Sequence, residues 1–146
     1  MGQYHVLANL DKREVVVPHA LGLGLKQREH VGAFDGTLAD ALYILTMTSP
    51  ARGGGDFEQV SISGRWAGDR CVVLGDYTED SDLPNVPDAS SLYREACDEG
   101  SDWTDISEKV VNDLGKLFGF RMTGTGWGWR RRVAAEVDMN EADSLA

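Results

Sequence analysis

Gln3-Tyr4-His5-Val6-Leu7-Ala8-Asn9-Leu10-Asp11-Lys12-Arg13-Glu14-Val15-Val16-Val17, residues 3–17, reads as a β-hairpin. Tyr4, Val6 and Ala8 alternate with Gln3, His5 and Asn9, which is the period of a strand, and the β-branched run from Glu14 to Val17 suits the return strand. Asp11-Lys12-Arg13 between them predicts a tight turn. Pro18 then stops the pairing, because it has no N–H to give to a ladder.

Beyond the hairpin, His19 to Gly24 reads as irregular and Leu25 to His30 as a short helix at most. A longer helix opens at Gly36-Thr37, with Thr37 as N-cap and Asp40 as the acidic partner of a capping box. Leu38, Ala41, Leu42, Tyr43, Ile44, Leu45 and Met47 are apolar nearly all round, which predicts burial on more than one side. Phe57 to Ser63 alternates as a strand would, Gly64 to Arg70 reads as a hairpin turn, and the run Arg70 to Leu74 that it leads into is the strongest strand in the chain. Residues 76–87, with Pro84 and Pro87, read as an exposed acidic loop. Residues 88–98 read as a short helix capped by Asp88 or Ser90, with Leu92, Tyr93 and Ala96 facing inward.

Asp105-Ile106-Ser107-Glu108 fits a capping box that opens the clearest helix. Its apolar stripe is Ile106, Val110, Val111, Leu114, Leu117 and Phe118, and Gly119 is placed to end it. Strands and helices do not alternate strictly, so the expected fold is α+β: a small, mostly antiparallel sheet covered by two or three helices. One globular domain is expected over residues 1–135, and residues 136–146 as a flexible acidic tail.

The 146 residues are 42% hydrophobic and 26% charged, enough for a core without disulfides or metal. The net charge of −10 argues against a general nucleic-acid binder, whose affinity comes from Lys and Arg on phosphates. Counted by segment, residues 1–75 carry −1, residues 76–108 carry −10 and residues 109–146 carry +1. A block of charge of this kind can steer a basic partner or imitate a phosphate backbone, or it can be a solvated face. The N-terminus lacks the pattern of a secretory signal, and the longest apolar stretch, Leu38 to Met47, is far short of a membrane span. These features predict a cytoplasmic protein with two unpaired thiols, Cys71 buried and Cys97 made a poor nucleophile by its acidic surroundings.

No catalytic signature or cofactor motif is present. Asp76, Glu79, Asp80 and Asp82 miss the spacing of a calcium loop, and His5, His19 and His30 fall in no zinc-binding arrangement. Arg52-Gly53-Gly54-Gly55-Asp56 has backbone N–H groups that could wrap an anion, but it lacks the Lys and Ser/Thr of a Walker loop. His19, Arg52, Gly54 and Asp56 are therefore candidate ligand or anion residues. With Arg65, Asp69 and Asp76 they outline one alternative, a small ligand-binding or hydrolytic domain. Trp127-Gly128-Trp129-Arg130-Arg131-Arg132 has three readings: a single-strand nucleic-acid platform, a segment folded back on the acidic block, or core tryptophans. Trp66 and Trp103 complete a set of four Trp, from which at least one partner anchor is expected.

Met1-Gly2-Gln3-Tyr4, Asn9-Leu10-Asp11-Lys12-Arg13-Glu14, Pro18-His19, Gly24-Leu25-Lys26, the Arg52 to Asp56 loop, Gly64-Arg65-Trp66-Ala67-Gly68-Asp69-Arg70 and Gly75-Asp76-Tyr77 resemble a group of small proteins from bacterial genomes and actinobacterial phages. The resemblance covers residues 1–83, with Gly64 to Arg70 its most specific piece. It implies a cytosolic protein, phage-encoded in some members, and brings no activity or catalytic residue with it. Together with the charge map it leads to a non-enzymatic accessory protein that binds a host protein through residues 76–108, with inhibition as one outcome. Asp98, Glu99, Asp102 and Trp103 are the expected contact residues. Homo-oligomerisation through exposed Trp and Phe is a third expectation.

Overall fold

The structure, a computed structural model, describes residues 3–24, 26–32, 34–123 and 132–134. Strand β1 (His5–Asn9) and strand β2 (Glu14–Val16) form the expected hairpin, with Leu7 opposite Val16 and Asn9 opposite Glu14. The Asn9 side chain organises its turn, its Oδ1 accepting the N–H groups of Asp11 and Lys12 at 2.9 Å each. Strand β3 (Cys71–Gly75) pairs antiparallel with β1 along its whole length, and strand β4 (Thr104–Asp105) adds parallel to β2. The sheet order is β3-β1-β2-β4, and the architecture is α+β as expected.

Every residue of β1 is buried, because both faces of the sheet are covered. Leu7 and Val16 point to one side, where helix α1 (Leu38–Thr46) and helix α3 (Ser107–Phe118) add Leu38, Ala41, Ile44, Leu45, Val110, Val111 and Leu114. Val6, Ala8, Val15 and Leu74 point to the other, against Ala89, Trp103, and Leu92 and Ala96 of helix α2 (Leu92–Ala96). Burying each such aliphatic side chain contributes roughly 1.5–3 kcal/mol. The acidic segment is therefore more than an exposed loop. Leu83 and Val86 of its first part pack on this second core, and Asp80 to Asp82 form a single 3-10 turn.

Two predicted elements differ from the structure. Residues 57–63 are not a strand, and the backbone from Ile62 to Trp66 instead closes the end of α1, Gly64 N–H donating to the Ile44 carbonyl at 3.0 Å and Trp66 N–H to Leu45 at 2.8 Å. The Ile62 N–H goes to the buried carboxylate of Asp113 on α3 at 2.9 Å, so side chain and helix end take the bonds that a neighbouring strand would have supplied. Helix α1 is buried on one side only, and Tyr43 is 67% exposed.

The caps differ in detail. Thr37 occupies the N-cap of α1 without a side-chain bond, while Asp40 reaches back to the Gly36 N–H. The Asp105 carboxylate takes the Ser107 N–H at 2.9 Å, but Ile106 holds the cap position. Asp88 holds the N-cap position of the 3-10 turn Ala89–Ser91 that runs into α2, without a side-chain bond, and Ser91 holds that of α2 itself. Gly119 ends α3 in the left-handed region, φ 77°, as expected.

Past Gly119, strands β5 (Phe120–Met122) and β6 (Arg132–Ala134) form a separate antiparallel pair. Arg132 folds back on carbonyls, not on the acidic block. Its guanidinium bonds the carbonyl oxygens of Leu21, Asp35 and Gly36 and lies between the rings of Phe34 and Phe120, at 5.1 and 4.2 Å from their centroids. Burial there brings its pKa down to about 10, with the Asp40 carboxylate acting in the opposite direction. Trp127, Trp129, Arg130, Arg131 and the expected tail at 136–146 lie outside the described residues.

Candidate functional site

Two conspicuous sequence motifs meet at the centre of the fold. Glu14 is buried on β2, and the Arg65 Nε and Nη2 donate to its two carboxylate oxygens at 3.0 and 2.5 Å while the Trp66 indole N–H donates at 2.8 Å. Asp69 accepts from Asn9 at 2.9 Å and pairs with Lys12, and Arg70 Nε bonds Asp11 at 2.8 Å. The segments 9–14 and 64–70 are thus one brace joining the hairpin to the turn under α1. Burial alone would raise the Glu14 pKa, but the bonds from Arg65 and Trp66 outweigh it and hold the carboxyl below its usual range. Arg65 and Asp69 are consumed in this brace.

The glycine loop at 52–56 does wrap an anion, and the anion is its own. The N–H groups of Arg52 and Gly53 both donate to Asp56 Oδ2, at 3.0 and 2.8 Å, with Gly54 exposed beside them. His19 stands in the 3-10 turn Pro18–Leu21, its ring Nδ1 3.1 Å from the Leu23 carbonyl oxygen. Asp76, at the end of β3, accepts the Tyr4 N–H at 2.9 Å. These residues stand on three parts of the structure: the Arg52–Asp56 loop, the turn Pro18–Leu21 and the end of β3.

Two of the three acidic candidates, Asp98 and Glu99, converge. A cavity of about 580 Å³ opens at the β4 edge of the sheet, lined by Val17, Ala96, Cys97, Asp98, Glu99, Trp103, Thr104 and Asp105. Its acids are held by a tight loop in which the Ser101 hydroxyl bonds the carbonyls of Glu95 and Asp98 at 2.7 and 2.8 Å and Trp103 N–H returns to that hydroxyl at 3.2 Å. Trp103 is 9% exposed, so it forms a wall of the cavity and part of the second core, not a protruding anchor. Its indole N–H is buried without an acceptor among the described residues. Trp66 is fully buried. Asp102 stays outside the cavity lining, 3.0 Å from Arg13 Nη1.

Asp105 was not among the expected contact residues, since its spacing marked it as a helix cap. Val17 N–H donates to Ser107 Oγ at 2.8 Å, and that hydroxyl donates to Asp105 Oδ1 at 2.5 Å, fixing the carboxylate at the cavity wall. Burial raises the Asp105 pKa, the Ser107 bonds oppose the rise and the Glu108 charge adds to it. The Cys97 thiol is also raised, as expected, but chiefly by burial; a bond with Tyr93 lowers it and the Asp105 charge raises it. Both cysteines are free.

Among the described residues, no three His, Cys, Asp or Glu side chains gather to hold a metal ion, and no helix is long and apolar enough to cross a membrane. No family model matches the chain, and neither the curated proteins nor the solved structures contain a match.

Proposed function

We propose that this is a non-enzymatic accessory protein that binds a basic segment of a partner protein in the cleft at the β4 edge. The observation that carries the reading is the convergence of Asp98, Glu99 and Asp105 on one cavity that Val17, Ala96 and Trp103 wall with apolar surface and Cys97 and Thr104 complete. Three carboxylates beside apolar wall suit an Arg or Lys side chain, whose aliphatic stem packs while its charged head is paired. Ten of the eleven acids between Asp76 and Glu108 are exposed, so the same segment would attract such a partner over a distance before contact. A bacterial or phage setting, with a host protein as the partner and its inhibition as the outcome, extends the same reading and is supported by the resemblance of residues 1–83.

The test is fluorescence anisotropy with a labelled peptide of alternating Arg and Leu. Expected are saturable binding that weakens with added salt and a loss of about tenfold or more in the double variant Asp98→Lys/Glu99→Lys. Both positions are exposed and the variant gives up one bond, from the Gly100 N–H to Asp98, so it should melt within about 1 kcal/mol of the parent. Equal affinity of parent and variant would remove the acidic cleft as the binding surface.

A further inference from the structure

The opposite edge of the sheet carries a second pair of cavities. One, of about 350 Å³, is lined by His5, Gln27, Arg28, His30, Val31 and Val73. The other, of about 320 Å³, is lined by Gln3, His5, Lys26, Gln27, Arg28 and Glu29. His5, Gln27 and Arg28 border both, so the two are lobes of one cleft between β3 and the 3-10 turn Gln27–Glu29.

The lobes differ in chemistry. Val31 and Val73 are 69% and 49% exposed, the two most exposed large aliphatic side chains among the described residues, and both stand in the first lobe. The second also exposes mostly carbon, but its lining includes the cations Lys26 and Arg28. In a chain of net charge −10 this is a local reversal of sign. The one carboxylate in the lining, Glu29, is exposed and already engaged, its Oε1 accepting the Lys26 N–H at 3.3 Å and its oxygens occupying the space a side chain on Gly24 would take.

At the junction, His5 is 6% exposed, and its Nδ1 is buried without a hydrogen-bond partner among the described residues. Gly75 leaves room for this arrangement. A Cβ there would lie 2.0 Å from Gln3 Nε2 and 3.1 Å from His5 Nε2.

An apolar lobe joined to a cationic one fits a ligand with the same division. We infer that this cleft binds a small monocarboxylate bearing an aryl or branched aliphatic body. Its carboxylate pairs with Arg28 and Lys26, its body lies against Val31 and Val73, and the amides of Gln3 and Gln27 orient the carboxylate between them. A bare anion gains only the first of these contacts, and an uncharged apolar molecule only the second.

Benzoate is the probe, titrated into the full chain and followed by amide NMR shifts, with inorganic phosphate and benzyl alcohol as parallel arms. Saturable shifts of Gln27, Arg28, Val31 and Val73 with benzoate alone are expected. Arg28→Gln should weaken binding about tenfold, the loss of one charge-assisted hydrogen bond, and Val73→Ser should weaken it while leaving the melt close to that of the parent. Absence of saturable shifts, equal shifts with phosphate, or unchanged affinity in Arg28→Gln would each overturn the inference. The peptide experiment at the β4 edge reads a different surface, so either can fail without the other.

Discussion

The two edges of the sheet show how one small fold can present opposite charges. At the β4 edge the chain places Asp98, Glu99 and Asp105 around apolar wall; at the β3 edge it places Lys26 and Arg28 beside Val31 and Val73. Strands β1 and β2 lie between them, with both faces buried under separate cores. At each edge the sheet stops being covered, and each cavity combines strand residues with a neighbouring turn or loop. Charge segregation in the sequence has thus become spatial separation, with the buried Glu14 brace as the shared middle.

The largest expected effect comes from breaking that middle. Glu14→Ala removes the acceptor of Arg65 and Trp66 and should destabilise the protein by about 3 kcal/mol, read from urea denaturation, because it leaves a buried indole N–H and a half-buried guanidinium without their partner. Both edges should then lose ligand response together. Since the folded Glu14 pKa lies below its unfolded value, its contribution is present above the unfolded pKa and is lost as pH falls through the folded one. The melting temperature of Glu14→Gln should therefore depend less on pH than that of the parent in the acid range.

A smaller effect should separate the edges. Gly75→Val forces Gln3 and His5 aside and should cost about 1–2 kcal/mol. It should remove the benzoate response at the β3 edge and spare peptide binding at the β4 edge; equal damage to both would show that the edges are not independent.

At the β4 edge, a bound cation favours ionised Asp105 and reverses the rise in its pKa. Peptide affinity should accordingly increase as pH rises from about 4 toward neutrality, where carboxylates complete their ionisation. Asp105→Asn should flatten that part of the profile.

The smallest effect belongs to the exposed Arg13–Asp102 pair. Asp102→Ala should change stability by a few tenths of a kcal/mol or less, because solvent screens both partners. A larger loss in chemical denaturation would mean that this ion pair adds more than solvent screening allows to the backbone pairing of β4 with β2.

Local pattern made part of this legible. Alternation in residues 3–17 marks the hairpin, and the spacing of Val110, Val111 and Leu114 marks α3, because each pattern repeats at the period of its own element. Residues 57–63 show where local pattern misleads: their alternation resembles a strand, but the Asp113 carboxylate takes the Ile62 N–H, and the chain just beyond, at Gly64 and Trp66, gives its N–H groups to the open carbonyls at the end of α1. At the candidate site, Asp98, Glu99 and Trp103 could be singled out from charge and aromatic content, whereas Asp105 read as a cap and Val17 as the end of a strand. No local pattern marks Arg28, which gains its place only beside Val73, 45 positions away, or Lys26, which gains its place only beside Gln3 and His5.

The sequence by itself determined the hairpin, the strand at Cys71, the amphipathic α3, the α+β class and the placing of the whole excess charge between residues 76 and 108, because these depend on neighbours within a few positions. Only the tertiary structure decided that the acidic segment covers a sheet face, that residues 9–14 and 64–70 lock together, and that opposite edges carry opposite charge. Those outcomes depend on contacts between residues far apart in the chain, where no local period exists to announce which partner will be met.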